Sequence, residues 1–284
     1  MRKLYSPLRY PGGKAKILDF MKELIETNHF SENTVYVEPY AGGAAVALGL
    51  LIEGYVSEIY VNDFDPAIYS FWKFCIKKNH KKFIEKIRKT KITIKEWYTQ
   101  SKIYNRSKEG FNLGFATFFL NRCNHSGIMK GGVIGGLEQT GKYKIDCRFN
   151  KEDLISRIET ISKYKDKIQV YHEDTKNFLC RTDMQKILQN CLLYLDPPYY
   201  KKGKQLYKNF YTHKDHQDIA NIMRNLNGKW VVSYDNRTEI QNLYSGFKKK
   251  EFNLTYCAGP IAKGAEVMFF SNELNFIPEL QNAA

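Results

Sequence analysis

An aspartate, two prolines and a tyrosine, Asp196, Pro197, Pro198 and Tyr199, follow directly on the apolar run CLLYL. Proline fixes φ and lacks a backbone donor, so two in succession stiffen the turn, and Pro198 offers nothing to compete for the Pro197 carbonyl. A carboxylate and a carbonyl aimed together form a paired acceptor for one amino group carrying two hydrogens. Tyr199 would stack on the ring bearing that group. Tyr200 and the lysines after it have no role fixed by type or spacing.

Three further stretches have chemical content. In EPYAGGAAV a strand runs into a glycine turn and then a helix, which lets backbone approach a ligand at the carboxyl end of a parallel sheet; a plain tight turn explains it equally well. Asp63, in NDFDP, lies 21 residues past Gly42, near the roughly 20-residue offset at which an acid meets ribose hydroxyls in dinucleotide folds. Its bland role would be to cap the helix starting at Pro66, although Asp65 is better placed for that. In LRYPGGKAKI, Lys14 stands at a helix start, where the dipole disfavours a cation, so a carboxylate ligand for it is expected.

Apolar runs that would position these residues recur at 34–43, 57–66, 167–174, 190–200 and 228–236, each of strand length and most ending in an acid. The helical stretches AAVALGLLIEG and AIYSFWKFCIKK alternate with them, with Pro66 suited to a first helical position. FYTHKDHQDIANIMRNLNG predicts a helix capped by Thr212 and ended by Gly228, and FNLTYC with EVMFFSN a closing hairpin. The expected fold is α/β, a doubly wound, mainly parallel sheet with an antiparallel edge. The alternation stops between about 75 and 165. We therefore expect residues 1–74 and 165–284 to form one domain and 75–164 an inserted, mostly helical lobe.

The chain has 284 residues, 43% of them apolar, with 44 Lys and Arg against 30 Asp and Glu, a formal charge of +14. That surplus favours a polyanionic partner, nucleic acid before a membrane surface. The six cysteines form no CxxC pair, which gives a zinc site or disulfide framework little support. The HKDH of 213–216 lacks a third ligand at convincing spacing, so no metal is expected. The lysines of 77–95 alternate with apolar residues at helical spacing, so a solvated face is the default and a DNA flank the alternative. With no run of about 18 apolar residues and no signal-peptide pattern, the expected location is cytoplasmic and not membrane-bound.

RYPGGK, EPYAGG, NDFD and LDPPY, in that order and across nearly the whole chain, resemble the Dam-like, alpha-class DNA adenine methyltransferases, with DPPY as their catalytic signature. The resemblance implies a Rossmann-like methyltransferase fold whose insertion is the target-recognition domain. It implies S-adenosylmethionine as cofactor, bound by Tyr10, Lys14, Glu38, Pro39, Tyr40, Ala41, Gly42, Gly43, Asp63, Asp174 and Asp196. It makes Asp196, Pro197, Pro198 and Tyr199 the catalytic residues. FFLNRCNHSGIMKGGVIGG and GKYKIDCRFN resemble the family's DNA-facing elements, so Arg122, Asn124, Lys130 and Arg148 become candidates for base or phosphate contact, beside hydrogen bonding internal to the lobe. Ala44 departs from the glycine or other small residue of many relatives.

The activity implied is site-specific methylation of the N6 amino group of a flipped-out adenine in double-stranded DNA, with a cognate restriction endonuclease as an open partner. Rival acceptors are cytosine, adenine in RNA and a protein glutamine amide, and a rival class is a DNA-recognition module without turnover. Asp196 in an intact DPPY favours the enzyme on adenine.

Overall fold

The computed structural model describes residues 4–9, 15–200, 211–256 and 262–279. The chain divides into two compact units, one of Gly12–Phe64 with Tyr171–Ala284 and one of Met1–Pro11 with Asp65–Val170.

The first unit holds the sheet. Its elements among the described residues are α1 (Ala15–Thr27), β1 (Val35–Glu38), α2 (Ala45–Ile52), β2 (Glu58–Asn62), α8 (Thr175–Cys180), α9 (Thr182–Leu188), β4 (Cys191–Leu195), α10 (His213–Asn225), β5 (Lys229–Asp235), α11 (Thr238–Leu243), β6 (Lys248–Tyr256) and β7 (Ala262–Phe270). β3 (Ile168–Tyr171) contributes its last residue to this unit. The strand order is β3-β2-β1-β4-β5-β7-β6. The β1–β2, β1–β4 and β4–β5 pairs are parallel, whereas β5–β7 and β6–β7 are antiparallel. This is the expected doubly wound sheet with its antiparallel edge.

β1 to β5 form where apolar runs predict them, while β6 and β7 each begin four residues before the predicted runs, at Lys248 and Ala262, and local chemistry sets the helix starts. Thr212 caps α10 in a reciprocal capping box with Asp215. β4 is buried along its whole length, as a central parallel strand must be. Alternation sends Cys191, Leu193 and Leu195 of β4 to one face with Trp230, Val232 and Tyr234 of β5, where Phe178, Met184, Ile219 and Met223 close the core. On α2, Gly49 admits Leu18 of α1 into the space its own Cβ would fill, which lets those helices approach closely.

The second unit contains α3 (Pro66–Ser70), which continues as a π-helix over Phe71–Lys78, then α4 (His80–Lys89), α5 (Ile94–Arg106), α6 (Phe111–Cys123) and α7 (Lys151–Ser162). Asp65 caps α3 and Pro66 occupies its first turn, as the sequence predicts. α6 is buried from Leu113 to Cys123. Around it Phe71 stacks on Phe118 at 6.1 Å, Phe83 meets Phe118 edge-on at 5.1 Å, and Phe118 meets Phe149 at 5.4 Å. Phe83, Ile84 and Ile87 turn inward on α4, leaving Lys81, Lys82 and Lys89 exposed, whereas Lys77 donates to Gln169 Oε1 at 3.0 Å and Lys86 lies over the Phe115 ring. The unit is wider than the 75–164 lobe expected from sequence because α3 packs on α6 and Asn121 fastens residues 4–9 to it. The Asn121 carboxamide accepts the Arg9 N–H at 2.6 Å and donates to the Arg9 carbonyl at 2.7 Å.

Among the described residues no helix is long and apolar enough to cross a membrane. Five cysteines are described and all are free: Cys75, Cys123 and Cys191 are buried, Cys147 and Cys180 exposed.

Candidate active site

β1 leads through α2 to β2 on one side, while β4 and β5 lie on the other. The sheet therefore reverses direction between β1 and β4, and in open parallel sheets the crevice beyond the strand ends at such a reversal receives ligands. Two of the singled-out loops flank it. Glu38 ends β1 and starts the glycine turn; Asp196 follows β4 directly.

The turn after β1 is buried at Pro39, Ala41, Gly42 and Gly43, with Glu38 1% exposed. Gly42 has φ 47° and Ala44 φ 46°, both left-handed. At Gly42 this is free of steric cost, whereas Ala44 bears about 1 kcal/mol that glycine would not. Ala44 is thus a strained residue. Asp63 braces this turn: its Oδ2 accepts the Gly42 N–H at 2.8 Å. The cap of α3 is Asp65, whose Oδ1 accepts the Ala67 N–H at 2.8 Å. Asp174 caps α8 by accepting the Lys176 N–H at 3.0 Å.

Asn62, absent from the sequence-derived site, ties these loops together. It is 0% exposed, donates to the Pro39 carbonyl at 3.1 Å and the Glu173 carbonyl at 3.0 Å, and accepts the Glu173 N–H at 2.9 Å. The ends of β1, β2 and β3 are thereby locked through one side chain.

On the other flank, Ser233 Oγ donates to Asp196 Oδ1 at 2.8 Å and lies 2.8 Å from Tyr194 Oη. The single serine hydrogen goes to the carboxylate, so the Tyr194 hydroxyl is the donor to Ser233. Burial first, then the charge of Asp196, raises the Tyr194 hydroxyl well above its ordinary value, so it keeps the proton it donates. The Tyr199 hydroxyl donates to Glu266 Oε1 at 2.9 Å and the Tyr200 N–H to Asp235 Oδ1 at 2.9 Å. The Tyr40 and Tyr211 hydroxyls are 2.9 Å apart. His213 and His216 of HKDH meet the Tyr200 and Tyr234 hydroxyls, each at 3.1 Å. Tyr10 and Lys14 lie outside the described residues.

The donor set suits an organic ligand bearing hydroxyls, an amino group and positive charge. It offers the carboxylates of Glu38, Asp63 and Asp174, the backbone of a glycine turn and the aromatic ring of Tyr40. Among the described residues no group of three His, Cys, Asp or Glu could hold a metal ion.

The second unit carries an arginine cluster. Arg122 is 7% exposed and its Nε has no hydrogen-bond partner among the described residues. Burial first, then the charges of Arg157 and Arg9, push its guanidinium down to about 9, with Arg148 adding to the effect and Asp153 opposing it. Asp153 is already engaged by Arg157 through two hydrogen bonds, at 3.2 and 2.6 Å. Lys130 and Arg148 are exposed. Asn124 is different. It is 0% exposed, donates to the Ile128 and Met129 carbonyls and accepts the Trp97 indole N–H at 2.7 Å. That side chain is an internal strut, the hydrogen bonding within the lobe that its sequence left open, and it has no capacity left for a base edge.

Among known proteins, the chain is 23% identical over 269 residues to the type II methyltransferase M.MjaIII of Methanocaldococcus jannaschii, covering 86% of this chain and 89% of that one. Solved structures similar to it include the rRNA methyltransferase aviRa of Streptomyces viridochromogenes (TM-score 0.40, 10% identity, 94% of this chain and 88% of that one). Another is the precorrin-6y C5,15-methyltransferase of Geobacter metallireducens (TM-score 0.35, 8% identity, 88% and 84%). The family model of the D12 class N6 adenine-specific DNA methyltransferases matches residues 10–256. With the motif order, the doubly wound sheet and that match over most of its length, the chain belongs to the D12 class of N6 adenine-specific DNA methyltransferases.

Proposed function

We propose that the protein transfers a methyl group from S-adenosylmethionine to the N6 amino group of an adenine flipped out of duplex DNA, at the crevice between β1 and β4. The observation that carries this is the pairing of two loops across the reversal of the sheet: Glu38 to Gly43 on one side, Asp196 to Tyr199 on the other. S-adenosylmethionine, when bound, supplies a methyl group activated by its sulfonium. Asp63 and the turn it braces are assigned to the cofactor's ribose, Glu38 with Tyr10 and Lys14 to its amino-acid end, and Asp174 to its adenine.

A base within the stack cannot reach such a crevice, and extruding it costs a few kcal/mol. Phosphate contacts by the basic surface offset that cost. Asp196 and the Pro197 carbonyl accept the two amino hydrogens and draw the nitrogen lone pair out of conjugation. With S-adenosylmethionine held there, the lone pair would form the new N–C bond as the C–S bond breaks, S-adenosylhomocysteine would be the leaving group, and one amino proton would pass to the Asp196 carboxylate and from it to solvent. Charge developing on nitrogen meets acceptors already oriented by Ser233 and the two prolines, so the protein contributes alignment and electrostatics. Pro198 stiffens the turn and Tyr199 presents its ring to the base.

Incubation with methyl-labelled S-adenosylmethionine and duplex DNA, followed by nucleoside analysis, should place the label in N6-methyladenine. Label in cytosine, or transfer confined to RNA, would overturn the assignment. The name of the M.MjaIII relative supports a place in a restriction-modification pair, and a DNA substrate supports action in the cytoplasm.

Arg148 and Lys130, both exposed, are assigned to the DNA, whereas Arg122 is buried within the lobe. Arg148→Gln should weaken binding about equally for all sequences and reduce the slope of log affinity against log salt by about 0.9, the loss of one neutralised phosphate. Fluorescence anisotropy over a salt series measures it. An unchanged slope would remove Arg148 from the contact surface.

A further inference from the structure

The DPPY turn is rigid for more than its prolines. Alternation along β5 puts Val231, Ser233 and Asp235 on one face, and the antiparallel register sets them against Phe270, Met268 and Glu266 of β7. Deep in the unit these partners are apolar. Toward the carboxyl end of β5 they turn polar, Ser233 at 1% and Glu266 at 3% exposure. A carboxylate that deep costs several kcal/mol unless its hydrogen bonds are made, and valine or methionine would hold the sheet at less expense. All three polar side chains reach the same five residues: Ser233 meets the Asp196 carboxylate at 2.8 Å, Asp235 the Tyr200 N–H at 2.9 Å, and Glu266 the Tyr199 hydroxyl at 2.9 Å.

We propose that Ser233, Asp235 and Glu266 are positioning residues for methyl transfer, fixing the turn at its carboxylate, its far backbone and its aromatic ring. Each grips a different degree of freedom. Ser233, itself held by Tyr194, sets the rotation of the Asp196 carboxyl about its last torsion, so that an oxygen faces the target amino group. Asp235 pins the chain where it leaves the prolines. Glu266 fixes the tilt of the Tyr199 ring, and with it the plane of a base stacked there. The inference rests on Asp196 and Tyr199 acting as assigned above.

The test uses the full-length protein with S-adenosylmethionine and duplex DNA. Ser233→Ala and Glu266→Leu should each lower the single-turnover rate by about 10- to 100-fold, the scale of an ångström-level misplacement, while KM for cofactor and for DNA stays within about twofold. Ser233→Thr keeps a hydroxyl donor and Glu266→Gln an acceptor, so both should recover most of the rate; a residue acting only through the fold has no reason to follow that rule. Tyr199→Phe should make a further Glu266→Leu change nearly silent. Urea denaturation confirms that each variant is folded.

Wild-type rates in Ser233→Ala and Glu266→Leu, with Asp196→Ala inactive, would overturn the positioning role while leaving the catalytic assignment intact. An active Asp196→Ala would instead overturn the assignment on which it rests. Should Glu266→Leu fail to fold, the Glu266→Gln and Tyr199→Phe rates decide: equal loss in both would overturn the contribution of Glu266, because glutamine retains the acceptor that phenylalanine cannot use.

Discussion

Asp196→Ala should abolish methylation, a loss of roughly 10³-fold or more in the single-turnover rate, while duplex binding should change by less than about twofold. The scale follows from removing a preorganised group aimed at developing charge, where one such group is worth about 10²- to 10³-fold, from a site in which it also draws out the lone pair. Alanine leaves the Pro197 carbonyl as the remaining acceptor and gives the Ser233 hydroxyl nothing to orient. Asp196→Asn is the sharper variant. It keeps the shape, and its carbonyl oxygen can still accept from Ser233 at the 2.8 Å position, but its amide nitrogen can only present hydrogens to an amino group that needs an acceptor. Asparagine should therefore be inactive too, although it is nearly isosteric. Rapid-quench transfer of labelled methyl, with anisotropy on the same DNA, separates chemistry from binding; an asparagine variant near the wild-type rate would remove the acceptor role.

The elements that role needs are legible in CLLYLDPPYY because every one of them is local: an apolar strand, an acid at its end, two prolines and a ring. The glycine turn and the cap by Asp65 were legible for the same reason, since strand ends and helix starts are written in a few consecutive residues; the brace Asp63 makes to Gly42, 21 residues away, was not. Ser233 and Glu266 were not, because their meaning depends on register. Ser233 lies 37 residues from Asp196, and Glu266 lies 67 from Tyr199. The pairing of β4 with β5 sets Ser233 beside Asp196, and the pairing of β5 with β7 brings Glu266 under the turn. A signal did exist in the alternation of VVSYD, where a polar residue takes a position that should face a core. Arg122 shows the opposite limit. Residue type suggested a surface contact, but a guanidinium 7% exposed beside three others is a built feature of the fold, and composition says nothing of burial.

Asn62 carries the second large expectation, and it turns on the order of two substitutions. Two carbonyls, of Pro39 and Glu173, face its nitrogen and one N–H, of Glu173, faces its oxygen, so its partners fix which atom is which. Asn62→Ala leaves those buried groups without their partner and should cost about 3 kcal/mol, since each such loss is worth about 1–3 kcal/mol and they are not fully additive. On a total of about 5–15 kcal/mol that is a large share. Asn62→Asp is closer in shape and should be worse. Its oxygen still accepts the Glu173 N–H, but the other oxygen places negative charge against two carbonyls in a site with 0% exposure, where water cannot screen it. The midpoint of urea unfolding should therefore fall in the order wild type, alanine, aspartate, and calorimetric affinity for S-adenosylmethionine should fall with it, because Pro39 and Glu173 sit in the loops assigned to the cofactor. An aspartate variant more stable than the alanine variant would mean that Asn62 is not the clasp of these three strand ends.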